Sequence, residues 1–171
     1  APPRCSRSSR GPAIPTPSGD FVLPTRGGRF LLVTAGSGIT PVIGMLRNLF
    51  PSTDSGVLRP ARSAGFDIVV VHVAPSRPDS IFIQDLQALD AAGAIRLIAR
   101  YDDEHGLLDV AELESLVPDL AERTTYACGP AGLLDALAAH HEVHDLPLMV
   151  EQFRTKRIVA GTGGTVSFTR S

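Results

Sequence analysis

The sequence predicts an open, doubly wound α/β sheet of five parallel strands. Three observations carry that expectation. Short, nearly continuous aliphatic runs alternate with longer amphipathic runs between residues 29 and 151; strands covered on both faces of a parallel sheet have this texture. Two of the runs end in a glycine turn followed at once by a helix-compatible segment, an arrangement found at the ligand-binding edge of such sheets. The length, 171 residues, suits one domain of this class.

Taken in order, residues 1–18 stand apart. They hold five Pro, four Ser and three Arg and no acid, too little apolar area to offset ordering entropy, and are expected to be a disordered lead-in. Residues 19–28 follow, in which 21–23, between Gly19 and Pro24, read as the closing strand of a preceding unit. The strands of the sheet are expected at 30–34 (FLLVT), 67–73 (DIVVVHV), 94–99 (AIRLIA), 124–128 (TTYAC) and 146–150 (LPLMV). Helices are expected at 41–50, 79–92, 109–116 and 130–141; in the second, Ile81, Leu86 and Leu89 recur at helical spacing behind acids in the first turn. The loop at 52–65 is long for such a connection. Residues 152–171 read as a Gly-rich linker and the opening strand of a unit that the chain does not finish.

Composition narrows the function classes. No apolar run approaches the roughly 18 residues of a membrane span. A formal net charge of −2 argues against a general nucleic-acid surface. Two cysteines, Cys5 and Cys128, exclude a disulfide framework or a four-cysteine cluster. A reducing, cytoplasmic setting is the default expectation.

Chemistry concentrates in two motifs. In LLVTAGSGITP, residues 31–41, a strand ends in Gly36-Ser37-Gly38, with Thr40 suited to cap a helix and Pro41 to open it. Free backbone N–H groups and a positive helix end make this a candidate diphosphate site. The full G-x-G-x-x-G fingerprint fails because Pro41 stands at its third glycine. In YACGP, residues 126–130, Cys128 ends a strand, and Gly129 and Pro130 repeat the turn-and-helix logic. By itself, Cys128 reads equally as a small buried hydrophobe.

The ordered set G-x-F-x-L-P, T-A-G-S-G-I-T-P, A-C-G-P-A-G and E-Q-F, at residues 19–153 within a likeness that covers residues 19–171, resembles the nucleotide-binding domain of the ferredoxin–NADP reductase superfamily. It is most similar to the bacterial class in which a flavin barrel, the nucleotide domain and a plant-type 2Fe–2S ferredoxin domain follow one another. The resemblance implies that Gly36, Ser37, Gly38 and Thr40 hold the coenzyme diphosphate, with Pro130 opening the second helix. It implies that Cys128 and Gly129 lie beside the nicotinamide, and that Glu151 and Phe153 lie where nicotinamide meets flavin. Such residues orient the hydride donor; no general base is needed.

Arg77 and Arg100 are candidates to grip a ribose 2′-phosphate, and Tyr101 to stack on adenine. NADP is therefore the favoured cofactor, with NAD as the alternative that Asp102 and Asp103 support. The resemblance implies FAD and 2Fe–2S for a full-length protein. This chain has neither the Arg-x-Tyr-Ser/Thr flavin motif nor the cluster-ligating cysteine pattern, so it is expected to bind neither. The implied partners are a flavin domain, a 2Fe–2S ferredoxin domain and a downstream oxygenase or desaturase. A stand-alone dinucleotide-binding module that pairs with a separate flavin domain is the competing reading. No metal site is expected: His140 and His144 share a helix face, but favourable charge at a helix C-terminus explains them better. Asp102, Asp103 and Glu104 read as a solvated loop, and Asp109 as a helix cap.

Overall fold

The protein is described by a computed structural model that covers residues 21–50 and 65–152. The expected lead-in at 1–18, most of the loop at 52–65, Phe153 and the expected strand after Gly164 lie outside the described residues. Five strands form one sheet: β1 (Gly28–Ala35), β2 (Phe66–Ala74), β3 (Arg96–Tyr101), β4 (Thr124–Cys128) and β5 (Leu148–Glu151). Every pairing is parallel, and the spatial order is β3-β2-β1-β4-β5. The chain winds outward from β1 to β3, then returns to the other side of β1. The reversal lies between β1 and β4, where open α/β sheets form a crevice at the carboxyl ends of their strands.

The alternation of side chains along each strand divides the core in two. Phe30, Leu32, Ile68, Val70 and Tyr126 face α1 (Ile39–Leu49) and α2 (Ile83–Ala91). Leu31, Val33, Val69, Val71 and Val73 face the opposite layer. That layer holds α4 (Leu113–Leu116) and α5 (Ala131–Val143), whose Leu113, Leu134 and Leu137 are buried. Both faces of β1 and β2 are thus covered, which explains their unbroken aliphatic runs.

Several local expectations shift. α1 starts at Ile39, because the backbone is already wound as a 3₁₀ turn over Gly36–Gly38. Thr40 is therefore inside the first turn and does not cap it; its hydroxyl donates to the Ser37 carbonyl at 2.9 Å. Pro41 is tolerated there, since the first N–H groups of a helix lack intrahelical partners. α2 starts at Ile83, later than residue 79, because Phe82 takes a left-handed conformation (φ 58°) that halts the winding. Ile81 is left 44% exposed outside the helix. The expected helix at 109–116 is a 3₁₀ turn followed by the single turn α4, with Asp109 capping through a bond from the Ala111 N–H. Asp102, Asp103 and Glu104 form no loop; they wind a short helix, α3 (Asp102–His105). Residues 21–23 form no strand: Phe21 stacks edge-on against Tyr126 at 5.4 Å, and the Tyr126 hydroxyl donates to the Val22 carbonyl at 3.0 Å.

At the amino ends of the strands, Arg123 ties three strands together. Its guanidinium donates to both Asp67 carboxylate oxygens, to both Asp119 oxygens, and to the Phe30 and Asp67 carbonyls. The side chain is only 5% exposed. Both carboxylates are partly solvated, so Arg123→Met is expected to destabilise the fold by about 1.5–3 kcal/mol, read from the urea midpoint.

Two buried histidines add a pH dependence. His72 on β2 meets the Thr34 hydroxyl at 2.8 Å, and burial lowers its pKa to about 4. His141 on α5 is also pushed down by burial; its Nδ1 donates to the Leu137 carbonyl while Nε2 meets the Thr125 hydroxyl. With folded values below unfolded ones, the unfolded chain binds more protons, so stability rises with pH across this window. For His72 the window runs from about 4 to its ordinary value of 6.5. Stability should therefore be full above pH 7 and fall on acidification, by on the order of 2–4 kcal/mol for His72 at pH 4. Thermal melts of wild type and His72→Leu between pH 7.5 and 4.5 test this; the variant should show the shallower decline.

Candidate functional site

The two glycine turns meet at the crevice. An added Cβ on Gly38 would lie 2.1 Å from the Cys128 carbonyl oxygen, and one on Gly129 would lie 3.2 Å from the Ala35 Cβ. Glycine is required at 38 because the β4 turn passes directly against it. Gly36 takes φ +53°, a left-handed conformation, with open space where a side chain would stand. No side chain caps this turn, so its backbone N–H groups are available to an anion. The contact also joins the carboxyl ends of β1 and β4 at the switch point.

Around it lies a cleft of about 360 Å³. Gly36, Ser37 and Gly38 form one wall, Gly129 and Pro130 another, and Val73, Ala74, Pro75 and Asp102 a third. The volume falls within the range of small-molecule sites. A second depression of about 430 Å³, mostly apolar, adjoins it and shares Ala35, Val73, Asp102 and Pro130.

Beneath the cleft, one register row crosses the sheet through Ala99, His72, Thr34, Cys128 and Glu151. Cys128 belongs to this row and is completely buried. Burial and the Glu151 carboxylate push its thiol up to about 11. The thiol is neutral and is not a nucleophile in this environment. Gly129 and Pro130 of the β4 turn line the cleft, whereas Cys128 does not.

The remaining expected residues fall into two groups. Arg77 and Tyr101 come together: the guanidinium lies 4.7 Å from the centroid of the buried Tyr101 ring. Arg77 also makes a two-pronged pair with Glu104, at 2.6 and 3.0 Å, and that hydrogen bond holds the Glu104 carboxyl below the usual range. This cluster stands beside the cleft, because Pro75 lines it and the Pro75 carbonyl accepts from the Asp103 N–H. Arg100 does not join it. Its place in the register beside Val73 sends it to the opposite face, where it pairs with Glu112 at 2.6 Å. Thr40 is occupied by the Ser37 carbonyl, and Glu151 ends the edge strand β5.

The sequence reading missed Asp102 as a lining residue. It closes β3 at the carboxyl edge, lines both depressions, and has one carboxylate oxygen buried without a hydrogen-bond partner. Its position directly after an apolar strand was the available signal. No described helix is long and apolar enough to cross a membrane.

A family model described as oxidoreductase NAD-binding domain matches residues 32–139. An NADPH oxidoreductase from Mycobacterium tuberculosis is 38% identical over 168 residues, covering 92% of this chain and 40% of that protein. A glycine betaine monooxygenase reductase subunit from Chromohalobacter salexigens is 29% identical over 133 residues, covering 71% of this chain and 33% of that protein. The chain thus spans two fifths or less of these curated relatives. Ferredoxin-NADP+ reductase from Plasmodium falciparum, solved with 2'P-AMP, shares the fold: the TM-score is 0.60 at 18% identity, over 79% of this chain and 56% of that one.

Three glycines test the packing at this site. Gly38→Ala should cost about 1–3 kcal/mol, because backbone must move, and Gly36→Ala about 1–2 kcal/mol from its left-handed conformation. Gly44→Ala, on the exposed face of α1 with nothing near its Cβ position, should stabilise by about 0.5–1 kcal/mol. Chemical denaturation checks the order. The buried thiol is read separately: in a Cys5→Ser background, Cys128 should resist a thiol-specific disulfide reagent at pH 8 and react fully only in denaturant.

Proposed function

The chain belongs to the oxidoreductase NAD-binding domain family, the nucleotide-binding domain of the ferredoxin–NADP reductase superfamily, and from that premise we propose that it holds NADPH in the glycine cleft and presents the nicotinamide to a flavin on another domain. One observation carries the reading. The approach of Gly38 to the Cys128 carbonyl brings two glycine turns, one with uncapped N–H groups suited to a diphosphate, to one crevice.

The residues fit the coenzyme. Uncapped N–H groups at Gly36, Ser37 and Gly38 suit the diphosphate. The Ser37 hydroxyl can add a bond, whereas Thr40 serves by fixing the turn through the Ser37 carbonyl. Gly129 and Pro130 line the neighbouring wall, where a flat ring can approach the backbone closely. Cys128 supports that wall from below, and its neutral sulfur keeps charge away from the ring. Asp102 lines the cleft with a carboxylate oxygen that lacks a partner and can accept from a ribose hydroxyl other than the phosphorylated 2′ position. Arg77, lying over Tyr101, takes the 2′-phosphate once Glu104 yields its two-pronged bond. Arg100, held by Glu112 on the other face, stabilises the sheet edge and does not touch the coenzyme. When bound, NADPH supplies a hydride for flavin N5. Glu151 ends β5 beside Cys128 in the register and would border the junction with the flavin; Phe153, outside the described residues, is assigned to that junction by the sequence resemblance alone.

In the full protein, electrons would pass from NADPH through FAD to a 2Fe–2S ferredoxin domain and on to an oxygenase or desaturase. The relative named as a monooxygenase reductase subunit supports an oxygenase as acceptor. Titration of the 171-residue chain with NADP+ by calorimetry tests the reading. One-to-one binding is expected. Arg77→Ala should weaken NADP+ by about tenfold or more and leave NAD+ affinity unchanged. Absence of NADP+ binding at millimolar concentration, or an equal loss for both nucleotides in Arg77→Ala, refutes it.

A further inference from the structure

Far from the cleft, α4 and the C-terminal end of α5 bring three metal-competent side chains together. Glu114 Oε1 lies 3.9 Å from His140 Nε2 and 4.0 Å from His144 Nε2. The two imidazole centroids are 4.5 Å apart, and the three ligand atoms all lie within 4.8 Å of one another. His140 Nε2 is buried and has no hydrogen-bond partner. A buried ring nitrogen left unpaired is unfavourable, and a bound ion would satisfy it.

His72 Nε2 is also buried without a partner, but it lies inside the core and belongs to no group of three metal-competent side chains among the described residues, whereas His140 stands in such a cluster. The chain holds five His; His72 bonds Thr34, His105 meets the Tyr101 carbonyl, and His141 bonds Leu137 and Thr125. The i,i+4 spacing of His140 and His144 puts both rings on one helix face. Only folding adds Glu114, from an element 26 residues earlier in the chain.

We propose that Glu114, His140 and His144 form a binding site for a zinc-like divalent transition metal ion, with water completing the coordination. Two imidazoles and one carboxylate suit zinc, and they disfavour magnesium and calcium, which prefer all-oxygen shells. Bonds of ~2.0–2.1 Å to a tetrahedral ion place ligand atoms about 3.4 Å apart. Modest side-chain rotation closes the difference, and Glu114 and His144 are exposed enough to move (59% and 46%). The ion would pin α4 to the end of α5. That end is ~20 Å along the helix from Pro130 at the cleft, so the site is separate from nucleotide binding.

The test uses the full chain without an affinity tag, at pH 7.5, titrated with zinc chloride. One zinc per chain is expected, with a melting temperature raised by on the order of 5 °C at a hundredfold excess over Kd. His144→Ala and Glu114→Gln, both at exposed positions, should fold normally, weaken zinc by at least about tenfold and abolish the thermal shift. His140→Ala should do the same, and magnesium should give no shift. No saturable one-to-one binding overturns the proposal. Unchanged affinity in His144→Ala and Glu114→Gln overturns it equally, since the ion then sits elsewhere.

Discussion

The approach of the Gly38 backbone to the Cys128 carbonyl is the constraint on which the architecture of the site depends. β1 and β4 are 93 residues apart at their carboxyl ends, and nothing local brings their turns together. Their turns meet because the chain winds outward to β3, reverses, and lays β4 against β1. With no side chain at position 38, the turns close to backbone distance. The result is a crevice walled by peptide groups, with side chains contributing little. Such a wall suits an extended, anionic ligand that needs N–H donors and close approach.

Polar groups beneath and beside the crevice have distinct jobs. Thr34, His72 and Cys128 share one row of the sheet inside the core. There, a hydrogen bond and two neutral titratable groups replace what would otherwise be aliphatic packing. Beside the cleft the charges are opposed. Asp102, Asp103 and Glu104 wind one acidic turn, while Arg77 reaches across to Glu104. Any anion that reached Arg77 would have to replace a carboxylate already bound by that arginine.

The far side of the molecule is stapled differently. Arg123 satisfies carboxylates and carbonyls from three segments at the amino ends of the strands. At the end of α5, two imidazoles and a carboxylate converge. Both clusters draw on residues distant in sequence, and both lie away from the glycine crevice.

The sequence by itself determined the sheet, because aliphatic runs covered on two faces leave a direct imprint, and it determined the glycine turns, because their conformations restrict residue type. Gly36, Ser37, Gly38, Gly129 and Pro130 were legible for that reason, and the structure gathers them at one cleft. Only the tertiary structure decided where side chains next to one another in sequence would go. Arg100 and Tyr101 are neighbours, yet strand pleating sends them to opposite faces. Thr40 became a brace for Ser37 because winding began at Gly36, ahead of the start that its capping chemistry implied. Phe82 stopped α2 short through a backbone conformation that no composition rule anticipates. The burial of Cys128, the place of Asp102 in the cleft and the meeting of Glu114 with two histidines depend on contacts across the fold, and contacts of that range leave no periodic signature in a single chain.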